Sequence, residues 1–465
     1  MGGKTFEIKS EKVKKVETPF RRIVTDIPAP ESLPILEKLR KYEPISMSGQ
    51  PPIVWDHAEN FQVYDKYGNK WLDWSSGVLV ANAGHGRKEI REAIIRTAEK
   101  SLLHTYLFPN ESRAMLVEKL VEIAPKGVDR VFLLTTGSEA VENTIKVSRQ
   151  YGQKIGGKKK IGIVSFTGAF HGRTMGAQMI GGIPALKEWI GYQDPGMYVL
   201  PFPNCFRCPL GRLHYEGCEG ECFSLIDKGL EERNTRADEI AAVITESYQG
   251  GEALFAPKGY IRLLSEWCRK HEILLVFDEV QAGFGRTGKW FAFEHYDVVP
   301  NLIACGKGIT SSLPLSCVIG ESKVMDVFGA GEMTSTHAAN PVCVAAALAN
   351  IDALRKDNLV KNAYEMGLVM CRELNKIWKS FSDHIGYAQG KGLVWAIHMV
   401  KNGTRESDPD RAFDVGRRAI QKGLMITSPL GPGYGSIKVM PPLTITEEAI
   451  LDGASALREA IEESL

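Results

Sequence analysis

Short apolar runs alternate along most of this chain with longer stretches in which apolar residues recur every three or four positions. Runs at 131–135, 161–166, 241–245, 273–277 and 302–305 have the length of buried strands. The recurrence at Ile90, Ala93, Ile94, Thr97 and Ala98, and again over 139–150 and 258–271, is that of helices with one apolar face. Strands alternating with helices imply an α/β fold, a mainly parallel sheet covered on both faces and joined by right-handed crossovers. The rhythm is absent at both ends of the chain. Residues 1–50 are polar and basic, then punctuated by proline, which predicts an arm with one short helix at 31–41. The stretch 53–74 breaks at Lys66-Tyr67-Gly68-Asn69 and reads as a hairpin. After 340 a long helix from Pro341 leads into short strands and a final helix at 447–463. The domain boundaries that follow are an arm at 1–50, a large domain at 91–340, and a smaller α+β domain built from 51–90 and 341–465.

A chain of 465 residues has room for about two or three domains and a sizeable buried site. Its 57 basic and 56 acidic side chains nearly cancel, so no overall field recruits nucleic acid or an anionic membrane. No apolar run reaches the ~18 residues of a membrane span. The N-terminal MGGKTFEIKSEKVKKVE is too charged for a signal peptide, and Glu7, Glu11 and Glu17 argue against a transit peptide. The expectation is a cytoplasmic enzyme acting on small molecules.

Nine cysteines, an odd number, do not look like a disulfide framework. Four of them are clustered in CFRCPLGRLHYEGCEGEC, where Cys205, Cys208, Cys218 and Cys222 give C-x2-C-x9-C-x3-C. That spacing could close a tetrahedral zinc site. The plainer explanation is a surface insertion with reduced thiols, since the second half-spacing is irregular and no chemistry nearby calls for a metal. The expectation is therefore no metal. His214, inside the loop, does not decide between the two.

Ligands of open α/β sheets sit beyond the carboxyl ends of the strands, and three polar features fall there. The first is Thr135-Thr136-Gly137-Ser138-Glu139, where a strand stops and a helix starts. Gly137 permits close backbone approach, and Ser138 and the N–H groups of the helix start suit an anion such as phosphate; an ordinary Ser N-cap would explain the stretch equally well. The second is LLVFDEVQAGFGRTGK, where a strand runs into Asp278 and Glu279. A carboxylate at a buried strand end needs a partner, and a cationic ring nitrogen is a good one; the alternative is a turn cap. Gln281 supplies a further donor near the same mouth. The third is Lys307, flanked by glycines after a short strand. A lysine so placed can act as an amine nucleophile, although a lysine between glycines is commonly a solvated loop residue.

An ordered set of motifs carries a resemblance covering about residue 30 to the C-terminus: TGSEAVENTIK at 136–146, FHGRTMGA at 170–177, ESYQGG at 246–251, FDEVQAGFGRTGK at 277–289, GKGITSSLPLS at 306–316, STHAANP at 335–341 and KVMPPLTIT at 438–446. Together they resemble the class III aminotransferases, the ω-amino acid, ornithine and 4-aminobutyrate type. The resemblance implies a fold type I enzyme whose large domain binds pyridoxal 5'-phosphate, and a ping-pong transfer of an amino group from an amino acid or ω-amine donor to a 2-oxo acid. It implies a Schiff base on Lys307, which then moves the substrate proton. Asp278 is implied as partner of the ring nitrogen, Gln281 of the ring hydroxyl, Phe170 as a stacking ring, and Gly137 and Ser138 as the phosphate seat. Thr336 is implied to reach the phosphate of the other subunit's cofactor, in a homodimer with shared sites and room for higher assembly.

The chain departs from the family pattern where substrate is chosen. Lys438 stands where many members have an arginine for the substrate carboxylate, and a lysine offers a point charge in place of a planar fork. Glu246 matches the glutamate that pairs with that arginine, so Glu246 with Lys438 is one expectation and a solvent-facing Lys438 the other. Ser247 replaces a usual proline, and Gln389-Gly390-Lys391-Gly392 lacks an arginine common before the glycine. Similar sequences racemise amino acids or decarboxylate dialkylglycines, which is the rival activity. A non-catalytic relative would be expected to have lost Lys307 or Asp278, and both are present.

Overall fold

Each apolar run expected to be a strand becomes one, and the best buried of them form a single sheet. The structure is a computed structural model that describes residues 4–212, 218, 220–429 and 434–465. The chain divides into two units, one of residues 88–250 and 254–357, the other of residues 1–87, 251–253 and 358–465.

The larger unit is built on seven strands: β1 (Arg130–Leu134), β2 (Gly162–Phe166), β3 (Met197–Leu200), β4 (Ile240–Glu246), β5 (Leu274–Asp278), β6 (Leu302–Cys305) and β7 (Ser316–Gly320). Their spatial order is β1-β7-β6-β5-β4-β2-β3. Every residue of β4 and β5 is buried, as a sheet covered on both faces requires. Only β7 runs against its neighbours, pairing antiparallel with both β6 and β1. The sequence pattern did not announce β7, since SCVIG is as short and apolar as its parallel neighbours. Helices α1 (Lys88–Glu99), α2 (Glu111–Ile123), α3 (Gly137–Gly156), α4 (Lys258–Lys270) and α5 (Pro341–Lys356) belong to this unit. The helix from Pro341 thus lies with the larger unit, past the boundary expected at 340, because it packs against α1 and α2. Asn340 caps it, accepting the Val342 N–H at 3.0 Å.

The smaller unit joins the two ends of the chain. Strands Val16–Glu17, Arg22–Ile23, Lys70–Asp73, Gln62–Tyr64 and His57–Glu59 pair in that order, with Leu424–Met425 parallel to Lys70–Asp73. A second sheet is made of Ile385–Lys391, Val394–Met399 and Ser436–Val439. Arg21 binds Asp452 through two bonds of 2.6 and 2.8 Å, tying the expected arm to the final helix, Glu447–Glu462. The expected arm is therefore woven into this unit through the pairing of Val16–Glu17 and Arg22–Ile23. Among the described residues no helix is long and apolar enough to cross a membrane.

Candidate active site

β4 and β5 run parallel with Asp278 in register beside Glu246, so both carboxylates point to the same side at the sheet's carboxyl end. They line a cavity of about 240 Å3 together with Gly137, Ser138, Phe170, Gln281 and Lys307. The same cavity is also lined by His171, Gly172, Tyr248 and Val280, which the motif reading did not single out.

The floor is a chain of buried acids and a base. Asp278 Oδ2 lies 2.9 Å from His171 Nδ1, and Asp278 Oδ1 accepts the Val280 N–H at 3.0 Å. Asp278 is 5% exposed and His171 3%. Burial alone would lower the pKa of His171, but the hydrogen bond and charge of Asp278, with the charge of Glu246, outweigh it and raise the value. His171 Nε2 is buried with no partner among the described residues. Glu246 accepts the Phe170 N–H at 3.0 Å and the Gly250 N–H at 2.8 Å. Burial pushes its carboxyl up to about 7, against the pull of His171.

The anion end is set by α3. Thr136 is its N-cap, its hydroxyl accepting the Glu139 N–H while the Glu139 carboxylate accepts the Thr136 N–H. Ser138 is thus not the cap; it sits in the first turn, where helix geometry leaves N–H groups without intrahelical acceptors. The Ser138 hydroxyl accepts the Arg173 N–H at 3.1 Å, which leaves its own proton to donate. A Cβ on Gly137 would lie 2.6 Å from Val280 Cγ1, so a side chain there would block the approach of α3 to the cavity wall.

Lys307 follows β6 after Gly306 and adopts φ +42°, a left-handed conformation that costs a non-glycine residue free energy and persists only where the surroundings enforce it. The enforcing residue is Asn350 on α5, fully buried, whose Nδ2 donates to the carbonyls of Gly308 and Ile309, both at 2.9 Å. Ser311 donates to Asn350 Oδ1 at 2.6 Å and closes the clamp. Asn350 lies mid-helix at an apolar-face position, where only its polarity could have marked it. Burial lowers the Lys307 amine, while the charges of Asp278 and Glu246 pull it back up. The half-buried lysine is therefore not the solvated loop residue that its flanking glycines alone would suggest.

Two expected residues lie elsewhere. Thr336 is exposed and does not line the cavity. Lys438 belongs to the smaller unit, in the strand Ser436–Val439, and is 2% exposed, which removes the expectation that it points to solvent. Of the loop cysteines, Cys205, Cys208 and Cys218 are half-buried, Cys222 is buried, and all are unpaired. His214 is outside the described residues.

The donor set fits a phosphorylated pyridine aldehyde: an amine, a buried carboxylate for a cationic ring nitrogen, a ring face at Phe170 and a helix N-terminus for phosphate share one cavity. Comparison with known proteins agrees. The family model described as aminotransferase class-III matches residues 45–461. A 4-aminobutyrate aminotransferase of Mycobacterium leprae is 33% identical, over 94% of this chain and 97% of its own length. A leucine/methionine racemase of Thermococcus litoralis is also 33% identical, over 88% and 90%. The crystal structure of a Bacillus anthracis aminotransferase superposes with a TM-score of 0.83 at 31% identity, covering 93% of this chain and 99% of that one. The chain belongs to the class III aminotransferases, fold type I enzymes that depend on pyridoxal 5'-phosphate.

Proposed function

We propose that the cavity at the ends of β4, β5 and β6 seats the cofactor and that amino transfer from an amino acid or ω-amine to a 2-oxo acid takes place there. The observation that carries this reading is the convergence of Lys307, Asp278 and the N-terminus of α3 on one cavity. Pyridoxal 5'-phosphate, when bound, supplies an electron sink for the carbon that bears the amino group. Asp278, oriented by His171, would hold a proton on the ring nitrogen. The Ser138 hydroxyl and the first-turn N–H groups of α3 hold the phosphate. Phe170 and Val280 offer apolar surface to the ring, and Gln281 a hydrogen bond to its hydroxyl. Lys307 would hold the cofactor's aldehyde end through its amine, and Nζ would carry the proton to and from the reacting carbon of the substrate; its lowered pKa suits both tasks.

For substrate, the relatives named 4-aminobutyrate aminotransferase favour donors with a terminal amine. Glu246, on the wall of this cavity, is the candidate for contact with the substrate. A homodimer with Thr336 reaching the partner's phosphate site fits the surface around it. Leu103 and Phe108 are 56% and 75% exposed, on a segment joined to that of Thr336 by Tyr106 Oη donating to Thr334 Oγ1 at 3.3 Å. Exposed apolar side chains grouped in this way suit burial against a second copy. A cytoplasmic setting fits the unpaired cysteines.

The racemase relative supports a second reading, in which the same cofactor chemistry returns the proton to the opposite face of the substrate carbon. One assay separates the two. The holoenzyme is incubated with a panel of amines and amino acids, with pyruvate or 2-oxoglutarate as acceptor. New amino acid derived from the acceptor is the expected product. Loss of optical rotation without amino transfer would establish the second reading in its place.

A further inference from the structure

β3 ends at Leu200 and the next helix begins at Leu225, and among the described residues only one turn, Glu221–Ser224, is regular in between. So long a connection with so little structure of its own is uncommon inside a packed domain. Its base is visibly tied. Phe202 meets Phe166 at 6.3 Å between ring centroids, Phe166 meets Tyr260 at 6.3 Å, and Tyr260 meets Phe223 at 5.6 Å. Entry and exit of the loop are thus pinned to one aromatic cluster, which brings Cys205, just inside the entry, toward Cys222, just before the exit. Gly220 makes the approach feasible: at φ +96°, a Cβ there would lie 2.9 Å from Tyr260 Cα. Cys208 is set by a turn in which Asn204 Oδ1 accepts the Arg207 N–H at 3.0 Å and the Cys208 carbonyl accepts the Gly211 N–H at 2.9 Å. An ion pair between Arg212 and Glu221 bridges the loop.

We propose that Cys205, Cys208, Cys218 and Cys222 together bind one zinc ion that staples this loop, a structural site separate from the cofactor cavity. All four thiols are unpaired, and each half of the motif lies within electrostatic reach of the other. A four-thiolate set is a zinc site by ligand type and number. A second observation points to the same place. The Tyr260 hydroxyl is buried without a hydrogen-bond partner among the described residues, and Cys222 is among the groups acting on it. In the proposed site its role is to donate to a metal-bound thiolate, as outer partners of zinc sites do. Among the described residues no three such side chains already meet at coordinating distance, so binding draws the thiolates inward and releases their protons.

The test is metal analysis of the holoenzyme prepared without added zinc. One zinc per chain is expected, falling to background in Cys205→Ser and Cys222→Ser and unchanged in Cys371→Ser, with amino transfer per folded molecule retained. Should the serine variants fail to fold, replacement of the wild-type metal by cobalt gives the same answer through the spectrum of a tetrahedral four-thiolate centre. Zinc far below one per chain, iron in its place, or a disulfide joining any two of the four cysteines would overturn the proposal.

Discussion

Two pairs of residues stand back to back at the ends of β4 and β5, and they use the same chemistry for opposite ends. Glu246 and Asp278 face the cavity, while Ser247 and Glu279, each one residue later, face the interior. Glu279 is fully buried, yet its oxygens accept the Ala292 and Phe293 N–H groups, both at 2.9 Å, and the Ser247 hydroxyl. Its partners are all internal, and they fix the chain that returns over the sheet. Asp278 is satisfied by His171, whose far nitrogen is not satisfied among the described residues. A buried polar group left open beside a cavity is costly, so it marks where an occupant contributes. The difference separates a carboxylate that builds the fold from one that faces the cavity, although the two are adjacent in sequence.

The comparison breaks most visibly at the lysine that both cavity carboxylates act on. Lys307→Ala is expected to lower amino transfer by at least about 10²-fold and to abolish borohydride fixation of the cofactor, read by mass spectrometry of the reduced protein. Fixation at the wild-type level would remove Lys307 from the mechanism. Asp278→Asn should reduce kcat by about 10²–10³-fold with little change in unfolding free energy, because the side chain keeps its shape and loses its charge. The pairing at the floor predicts a shifted absorbance of bound cofactor in this variant. The smallest catalytic effect is expected one residue on. Glu279→Gln should keep kcat within a few-fold and lose about 1–3 kcal/mol in denaturant unfolding, since an amide N–H2 meets donors where oxygen met them. A fall in kcat as large as that of Asp278→Asn would erase the distinction.

The same variant sharpens the pH dependence. Burial pushes Glu279, like Glu246, up to about 7, from an ordinary carboxyl value of 4.5. Between these values the folded chain binds more protons than the unfolded one, so stability falls as pH rises from 4.5 to 7 and levels off above. His171, with its raised pKa, acts in the same direction above 6.5. Replacing Glu279 by Gln removes its share of that slope, and thermal unfolding of the apoprotein across the window measures it.

Much of this arrangement was legible in the residues. The apolar runs marked β1, β2, β4, β5 and β6, and their polar ends supplied Ser138, Asp278 and Lys307. Period-two alternation also implies that residues 278 and 279 face opposite sides. Sequence does not carry which side is the cavity, since that depends on the register of β4 against β5. The pairing of Arg21 with Asp452 spans nearly the whole chain, and so the arm could not be placed from local pattern. The sequence allows Ser138 as an ordinary cap, whereas Thr136 takes that position in a capping box with Glu139. His171 lay inside a quoted motif, but its bond to a residue 107 positions away has no local signal.

The antiparallel strand β7 has a consequence for motion. Because β6 and β7 are hydrogen-bonded neighbours, the segment carrying Lys307 leaves the sheet and re-enters it beside its own start, with Asn350 gripping it between. Such a segment cannot swing out alone; it opens only when the centre of the sheet opens. Its amides should exchange with deuterium as slowly as those of β5. Any traffic through the cavity is then left to its other walls, while the Lys307 amine keeps its place.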